Sequence, residues 1–230
     1  MKSLNDVGAK AAAYVSALET EDYEGAKSLT RTLINELKEL SRNPPPEEAG
    51  SFLTSALYLS VFFRALYDFA CLISITSVPN WSQSEASLET AWEKLCDCKD
   101  RFAFARPRIM GPLRDIVASN LAEIDDFYNT NFGQGWYMSP ELLVKRELCS
   151  ICRQDMRTCS HISGRVYSGQ ICFAVADSDG IELTAGAIVR VPHDPRCRVW
   201  PWQMKNSEAL GIKILSFFRI DDFMERDDWK

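Results

Sequence analysis

Apolar residues recur at three- and four-residue steps through the first 130 positions, the spacing that places side chains on one face of an α-helix. One such run follows Ser3, and a second begins after Thr20, whose acidic neighbours suit the first turn of a helix. We predict that the second helix ends near Arg42, because the prolines at 44–46 remove backbone donors and restrict the preceding residue.

The third apolar run, from about residue 47 to 75, is the longest in the chain. A membrane span is one interpretation, but Arg64 and Asp68 interrupt the run before the roughly 20 residues that a bilayer requires. We therefore predict the central helix of a bundle. Arg64 and Asp68 are four residues apart, the spacing of an ion pair along one helix face.

Two further helices are predicted before residue 131. Ser82 or Ser84 begins the fourth, and Pro112 takes the first position of the fifth, where a proline is well tolerated. The expected inward positions are Leu88, Trp92, Leu95 and Phe102 in the fourth, and Leu113, Ile116, Val117, Asn120, Leu121, Ile124, Phe127 and Tyr128 in the fifth.

Beyond residue 130 the helical period gives way to short apolar segments separated by turn residues. Residues 131–140 contain two glycines and end in Pro140, which indicates a connection between domains. A short helix that begins at Ser139 is one interpretation of the next residues, and a strand near Leu142 and Val144 is favoured. Further strands are expected at 170–176, 181–191 and 209–220, the first two joined by a hairpin turn at 177–180. The chain is thus predicted to be α+β, with an all-α bundle at 1–130 and a β-rich domain at 131–230.

Charge is unevenly distributed between these two parts. The net charge of −6 resides in residues 1–130, which hold 13 basic and 19 acidic residues, while residues 131–230 hold 13 of each. An acidic balance argues against binding nucleic acid through the overall field, although a local basic patch could still do so.

The chemical role of the eight cysteines depends on the compartment in which the protein is located. The start of the chain has no apolar run after Lys2, so we predict no secretory signal and a cytoplasmic, reducing location. Disulfides are rare there, which leaves buried thiols or metal ligands. Cys71, Cys96 and Cys98 fall on predicted helices, and the last two point apart, so buried or half-buried thiols are expected for all three.

The densest cluster of metal-ligand residues is Cys149-x₂-Cys152-x₆-Cys159-x-His161. The Cys-x₂-Cys turn can direct two sulfurs at one ion, and the next six residues bring the chain back to supply two more ligands. Three thiolates and an imidazole fill a tetrahedral shell and leave no water to activate. We predict one structural Zn²⁺ per chain that stabilises a domain with a thin core.

This spacing, followed by Gly164, Tyr167-x-Gly169 and Pro192-x₂-Pro195-x-Cys197-x-Val199, resembles a small zinc-binding β module of uncharacterised bacterial and phage proteins. The resemblance covers about residues 133–202 and implies the four ligand positions but no activity. The pattern differs from the retroviral nucleic-acid-binding knuckle, Cys-x₂-Cys-x₄-His-x₄-Cys, so RNA binding does not transfer directly.

A second segment of interest, 191–202, contains His193 and Cys197. These two residues could replace two of the four proposed ligands, form a second, incomplete metal site, or act as a base and nucleophile, and a packed turn is the alternative. Arginines and tryptophans around the metal loop form a candidate surface for a protein or nucleic acid: Arg153, Arg157, Arg165, Arg196, Arg198, Trp200 and Trp202.

Three functions are compatible with these features. The first is a non-catalytic, zinc-stabilised interaction or adaptor protein of an intracellular, prokaryotic or phage-related assembly, with a protein partner and no membrane. The second is a nucleic-acid-binding component that uses the arginines and aromatic residues. The third, an enzyme using His193 and Cys197, has the least support, because no phosphate-binding loop or nucleophile elbow is present.

Overall fold

The computed structural model describes residues 4–42, 49–177 and 180–202. The expected helix start at Ser3, the prolines at 44–46 and the expected strand at 209–220 lie outside these residues. The described residues belong to two compact units: unit 1 takes those of Met1–Thr130 and Gly164–Cys172, and unit 2 those of Asn131–Ser163 and Phe173–Lys230. The chain is α+β, as the sequence predicts.

Unit 1 contains the five predicted helices. They are α1 (Leu4–Glu19), α2 (Tyr23–Arg42), α3 (Ala49–Thr76), α4 (Glu85–Ala105) and α5 (Pro112–Phe132). The α3 helix packs against both α2 and α4, so it is the central helix of the bundle.

Side chains at the helix starts correct one prediction and confirm another. Asp22, and not Thr20, caps α2, because its carboxylate accepts a hydrogen bond from the Gly25 backbone N–H at 2.9 Å. The Thr20 hydroxyl donates instead to the Ser16 carbonyl at the end of α1. Ser84 caps α4 through the Ser87 backbone N–H, one of the two starts predicted for that helix.

Buried aromatic residues tie the helices of unit 1 together. The Tyr14 hydroxyl donates to the Leu66 carbonyl at 2.6 Å, and the Tyr128 hydroxyl donates to the Leu88 carbonyl at 2.7 Å. These bonds satisfy polar atoms that burial removes from water. Leu88, Trp92, Leu95 and Phe102 are buried as predicted, as are Val117, Leu121 and Tyr128, but Ile116 is 46% exposed and does not belong to the inward stripe.

The cysteines of the helices are thiols packed in this interior. Cys96 and Cys98 are buried and Cys71 is half-buried, which confirms the prediction. The Cys98 thiol donates to the Ala65 carbonyl at 3.2 Å. Burial raises the pKa of both Cys98 and Cys71, so these thiols stay protonated.

A buried carboxylate joins α3 to α4. Asp68 is 1% exposed and pairs with Arg101 and, at 3.5 Å, with Lys94. Burial raises the pKa of Asp68 above its ordinary value, while the two cations act to lower it. The predicted pairing with Arg64 on the same helix missed these two partners, because the sequence does not reveal which neighbouring helix Asp68 faces.

By length and composition alone, Gly50–Thr76 could cross a membrane, because two charged residues do not lower its apolar character enough to exclude it. Of the most apolar 18-residue window of this helix, 56% is buried inside the protein. A helix covered by α2 and α4 has the surroundings of a core helix.

A small hairpin formed by β3 (Val166–Tyr167) and β4 (Gln170–Ile171) packs in unit 1 beside α3. Its turn contains Gly169, whose φ of +78° is a conformation that residues with a Cβ rarely adopt. A Cβ on Gly169 would lie 2.8 Å from the Leu53 Cβ and 2.9 Å from the Leu53 carbonyl oxygen. The turn therefore requires glycine for its conformation and for its close approach to α3.

We expect Gly169→Ala to destabilise unit 1 by about 3 kcal/mol, the sum of left-handed strain and overpacking against Leu53. Gly164→Ala is the matched control, because Gly164 has a similar φ of +83° but nothing lies within 4 Å of its added Cβ. Its cost should be about 1 kcal/mol. Urea unfolding followed by helical ellipticity measures both, and equal losses would contradict the close packing.

Unit 2 is built from short strands whose pairing differs from the predicted hairpin. Its strands are β1 (Trp136–Val144), β2 (Glu147–Cys149), β5 (Ala174–Ala176), β6 (Ile181–Val189) and β7 (Arg198–Val199). The predicted strand at 170–176 is divided into β4 and β5. The β6 strand pairs with β1, while β5 pairs with β2, so 170–176 and 181–191 do not form a hairpin with each other.

The β1 strand begins inside the segment that was expected to be a connection. It extends from Trp136 through Pro140, and its ladder with β6 continues from Tyr137 opposite Val189 to Val144 opposite Ile181. We call β1 and β6 together the ribbon. Four of its large apolar side chains are between 44% and 52% exposed: Leu142, Leu143, Leu183 and Ile188.

Candidate metal centre

The end of β2 positions the first half of the cluster. Cys149 is the last residue of β2, opposite Ala174, and its side chain is buried. The chain then turns tightly, because the Arg153 N–H donates to the Cys149 carbonyl at 2.9 Å and Arg153 takes a φ of +60°. The turn directs the Ile151 N–H at the Cys149 sulfur, 3.4 Å away, and brings Cys152 to the same side.

Asp155 shapes the second half of the loop, a role that the ligand spacing does not predict. Its carboxylate accepts a hydrogen bond from the Arg157 backbone N–H at 2.9 Å and two from the Arg157 guanidinium. These bonds lower the pKa of Asp155 to about 2. The Asp155 carbonyl accepts hydrogen bonds from the N–H groups of Thr158 and Cys159, so the turn fixes the position of Cys159. The signal in the sequence is an aspartate two residues before its hydrogen-bonding partner.

The four ligand side chains converge on one point. Their nearest ligand atoms all lie within 4.8 Å of one another. Cys152 Sγ is 3.3 Å from Cys159 Sγ, and His161 Nδ1 is 3.2 Å from Cys159 Sγ and 3.7 Å from Cys149 Sγ. In a tetrahedral zinc site with bonds of 2.0–2.3 Å, such atoms lie about 3.5–3.8 Å apart. The Cys₃His group can therefore bind a metal ion.

The cysteines of this group are electrostatically unequal. Burial acts to raise the pKa of Cys149, but hydrogen bonds from the backbone N–H groups of Cys152 and Ile151, together with those from the Cys159 and Cys152 side chains, outweigh it and lower the pKa to about 6. For Cys159, burial and the neighbouring cysteines raise the pKa to about 11. Three thiolates this close repel one another. All three can be charged together only when a divalent cation lies between them.

We expect Asp155→Ala to weaken metal binding by about 10- to 100-fold, because it removes the carboxylate bonds to Arg157 that hold the turn before Cys159 in place. The matched control is Asp194→Ala. Asp194 accepts from the Arg196 N–H and pairs with its guanidinium in the same way, but it lies outside the cluster. Competition with a chromogenic chelator measures both affinities, and equal weakening in the two variants would refute the role of Asp155.

The arginines of the candidate partner surface fall into three environments. Arg157 and Arg196 are held by the aspartates two residues before them. Arg153 and Arg165 are exposed, the latter in unit 1. Arg198 is 2% exposed, and its guanidinium donates to the Phe132 and Gly133 carbonyls at 3.0 and 3.1 Å. Their binding roles stay predictions, and local pairing or burial engages three of the five.

The two tryptophans of that surface stack on one another. Their rings are 5.1 Å apart and nearly parallel, and the Arg198 guanidinium lies 5.0 Å from the Trp200 ring. Trp200 is 1% exposed, whereas Trp202 is half-buried. Trp200 therefore packs in the interior of unit 2, and of the pair Trp202 has the surface that a partner would need.

His193 and Cys197 do not join the Cys₃His group. Cys197 is 6% exposed and sits in a short 3₁₀ turn that Asp194 caps through the Arg196 N–H. A buried thiol in a capped turn suits packing better than nucleophilic attack. The second site proposed from the sequence stays a prediction.

Comparisons of this chain with protein-family models, with curated proteins and with solved structures gave no match.

Proposed function

We propose that the Cys₃His group binds one Zn²⁺ per chain and that the ion is structural. The proposal is carried by the convergence of three sulfurs and one imidazole nitrogen within 4.8 Å. A sulfur-rich tetrahedral donor set favours zinc among the divalent ions of cells. Four protein ligands complete the coordination shell, so no position is left for a reacting water.

The same observation supports a non-catalytic interaction protein, the first of the functions considered from the sequence. Around the metal loop, unit 2 consists of strands of two to nine residues, a type of fold that a metal stabilises. Its ribbon exposes four large apolar side chains, and its only charged residues are Glu141 and Glu182. A partner protein with an apolar surface bearing basic residues fits that composition.

The two alternatives receive less support from the geometry. Nucleic-acid binding requires arginines that can contact phosphate. Arg157 and Arg196 are paired with aspartates and Arg198 is buried, so Arg153 and Arg165 are the exposed arginines of the five that carry no such constraint. An enzyme using His193 and Cys197 requires an accessible thiol, and Cys197 is buried.

We also propose a cytoplasmic protein in which α3 is a core helix and not a membrane span, of the bacterial or phage kind that the Cys-x₂-Cys-x₆-Cys-x-His spacing resembles. Two observations support a core role for α3: the adjacent helices α2 and α4, and the buried Asp68, which α4 neutralises through Arg101 and Lys94. A carboxylate paired inside its own bundle does not need a second protein to offset its charge.

The test combines zinc analysis with partner capture. We expect about one zinc per purified chain, and we expect crosslinking in native cells to capture a protein partner. The double variant Leu143→Glu with Ile188→Glu should keep the zinc and lose that partner. The double variant Val78→Glu with Met110→Glu is the matched control, because these exposed apolar residues belong to unit 1. Equal capture by both variants would contradict the ribbon as the contact surface, and absence of zinc would contradict the metal centre.

A further inference from the structure

The three cysteines of the metal centre differ in their hydrogen bonds to the backbone. Cys149 Sγ accepts from the N–H groups of Ile151 and Cys152, and Cys159 Sγ accepts from the His161 N–H at 3.2 Å. Among the residues that the structure describes, no backbone N–H donates to Cys152 Sγ, which contacts the Cys159 sulfur at 3.3 Å and also the Cys149 sulfur. Cys152 thus keeps the least stabilised electron pairs of the three sulfurs.

Exposure ranks the sulfurs in the same order. Cys149 is buried at the end of β2, Cys159 is half-buried, and Cys152 is exposed on the turn. Attack on an oxidant by a thiolate requires both an available electron pair and access from solvent. Backbone N–H donors withdraw electron density from a sulfur, and burial blocks access to it. Both properties select Cys152.

We propose that Cys152 is the oxidation site of this protein, that peroxides are its oxidant, and that Cys159 resolves the oxidised sulfur as a Cys152–Cys159 disulfide. The inference rests on the proposed zinc site, because the two sulfurs are also two of its four ligands. Cys159 Sγ lies 3.3 Å from Cys152 Sγ. Cys149 also makes a side-chain hydrogen bond with Cys152, but its sulfur is buried and accepts hydrogen bonds from backbone N–H groups, so Cys159 supplies the resolving thiol.

The chemistry balances in two steps. The Cys152 thiolate attacks one oxygen of hydrogen peroxide, the O–O bond breaks, and the products are a sulfenic acid at Cys152 and hydroxide. The Cys159 thiolate then attacks the Cys152 sulfur, the S–S bond forms and the S–O bond breaks, releasing a second hydroxide. The two thiolates lose two electrons in total, and the peroxide gains them.

Oxidation removes half of the coordination shell. A disulfide sulfur is a poor ligand, so Cys149 and His161 alone would remain for the ion, and the ion would leave. The segment from β2 to His161 would then be held by its own hydrogen bonds and by the new disulfide. Reduction by a dithiol would restore both ligands, so the site would report the redox state of its surroundings reversibly.

The experiment uses the full-length chain, zinc analysis before treatment, and one equivalent of hydrogen peroxide. Free thiols are then alkylated at low pH and the chain is cut with trypsin. Cleavage after arginine gives one peptide, residues 147–153, with Cys149 and Cys152, and another, residues 158–165, with Cys159. Fragment ions of the crosslinked pair show which cysteine of the first peptide is joined. We expect Cys152, with about one zinc released per disulfide.

A variant that keeps four ligands separates oxidation from simple loss of the site. Cys152→His should retain zinc, and its peroxide-driven zinc release should be at least about tenfold slower than that of the wild type. Cys71→Ser, which changes a half-buried thiol outside the cluster, should release zinc at the wild-type rate. If Cys152→His does not bind zinc, the peptide mapping of the wild type decides the question.

Two results would overturn the proposal: a disulfide that contains Cys149, or zinc that stays bound until peroxide is in large excess. A chain isolated without zinc would contradict the proposed function and the linked zinc release, whereas its disulfide map would still decide whether Cys152 pairs with Cys159.

Discussion

The Cys152→Ser variant is expected to lose its zinc and the structure of its metal loop. A structural zinc contributes on the order of 10 kcal/mol to the folding of a small domain, comparable with the whole stability of a typical protein. A serine hydroxyl is a poor zinc ligand, so three ligands would have to hold the ion. The zinc content should fall well below one per chain, and backbone amides of β2 and β5 should exchange with solvent much faster.

The matched control is Cys197→Ser, which changes a buried cysteine of the same unit that lies outside the cluster. It should keep its zinc and the slow exchange of β2 and β5. Elemental analysis and hydrogen exchange measure the two quantities independently. A zinc-free Cys152→Ser variant with the exchange pattern of the wild type would show that the metal does not stabilise unit 2.

The second large effect is expected at Asp68. We expect Arg101→Met to destabilise the helical unit by about 3 kcal/mol near pH 8, because it removes one of the cations that pair with the buried Asp68 carboxylate. Burial already raises the pKa of Asp68 in the folded state, and removal of Arg101 raises it further. The loss should therefore depend on pH.

The direction of that dependence follows from proton binding. A carboxyl group with a raised pKa in the fold holds its proton where the unfolded chain has lost it, so its favourable contribution is present at low pH and is lost as the pH rises through the folded pKa. The destabilisation of Arg101→Met should thus be smaller at about pH 5 than at about pH 8. Urea unfolding at both pH values measures it.

The control for this prediction is Lys99→Met on the same helix. Lys99 pairs with Asp125 at 2.7 Å, but that pair is largely exposed, so its loss should cost less than about 1 kcal/mol with little pH dependence. Equal effects in the two variants, or a larger loss for Arg101→Met at the lower pH, would contradict the interpretation of Asp68 as a buried, partly neutralised charge.

The sequence was sufficient to predict the five helices because their apolar periods and proline breaks are local signals. It was insufficient where the partner is distant along the chain. Asp68 pairs with residues of α4, more than twenty positions away, and β6 pairs with β1 across the whole metal loop. A strand pattern predicts extended backbone but does not specify its neighbour, which explains the incorrect hairpin between 170–176 and 181–191.

The candidate metal site was predictable because its ligands are close in sequence and chemically distinctive. What the spacing could not supply is the inequality among them: Cys149 is buried by β2 and bonded to two N–H groups, whereas Cys152 is exposed. The burial of Trp200 was also not predictable from the sequence. Trp200 and Trp202 flank Pro201 in the same way, and only the surrounding chain decides which of them is buried.

The pairing of β1 with β6 also has a kinetic consequence. Val144 and Ile181 meet only after the intervening chain, which includes the metal loop, has closed on itself. Loop closure costs entropy before any ladder contact is made, so strand pairs of high sequence separation form slowly. An ion bound early by the Cys₃His group would shorten the effective loop, and the supply of zinc during synthesis would then set how quickly the newly made chain completes its ribbon.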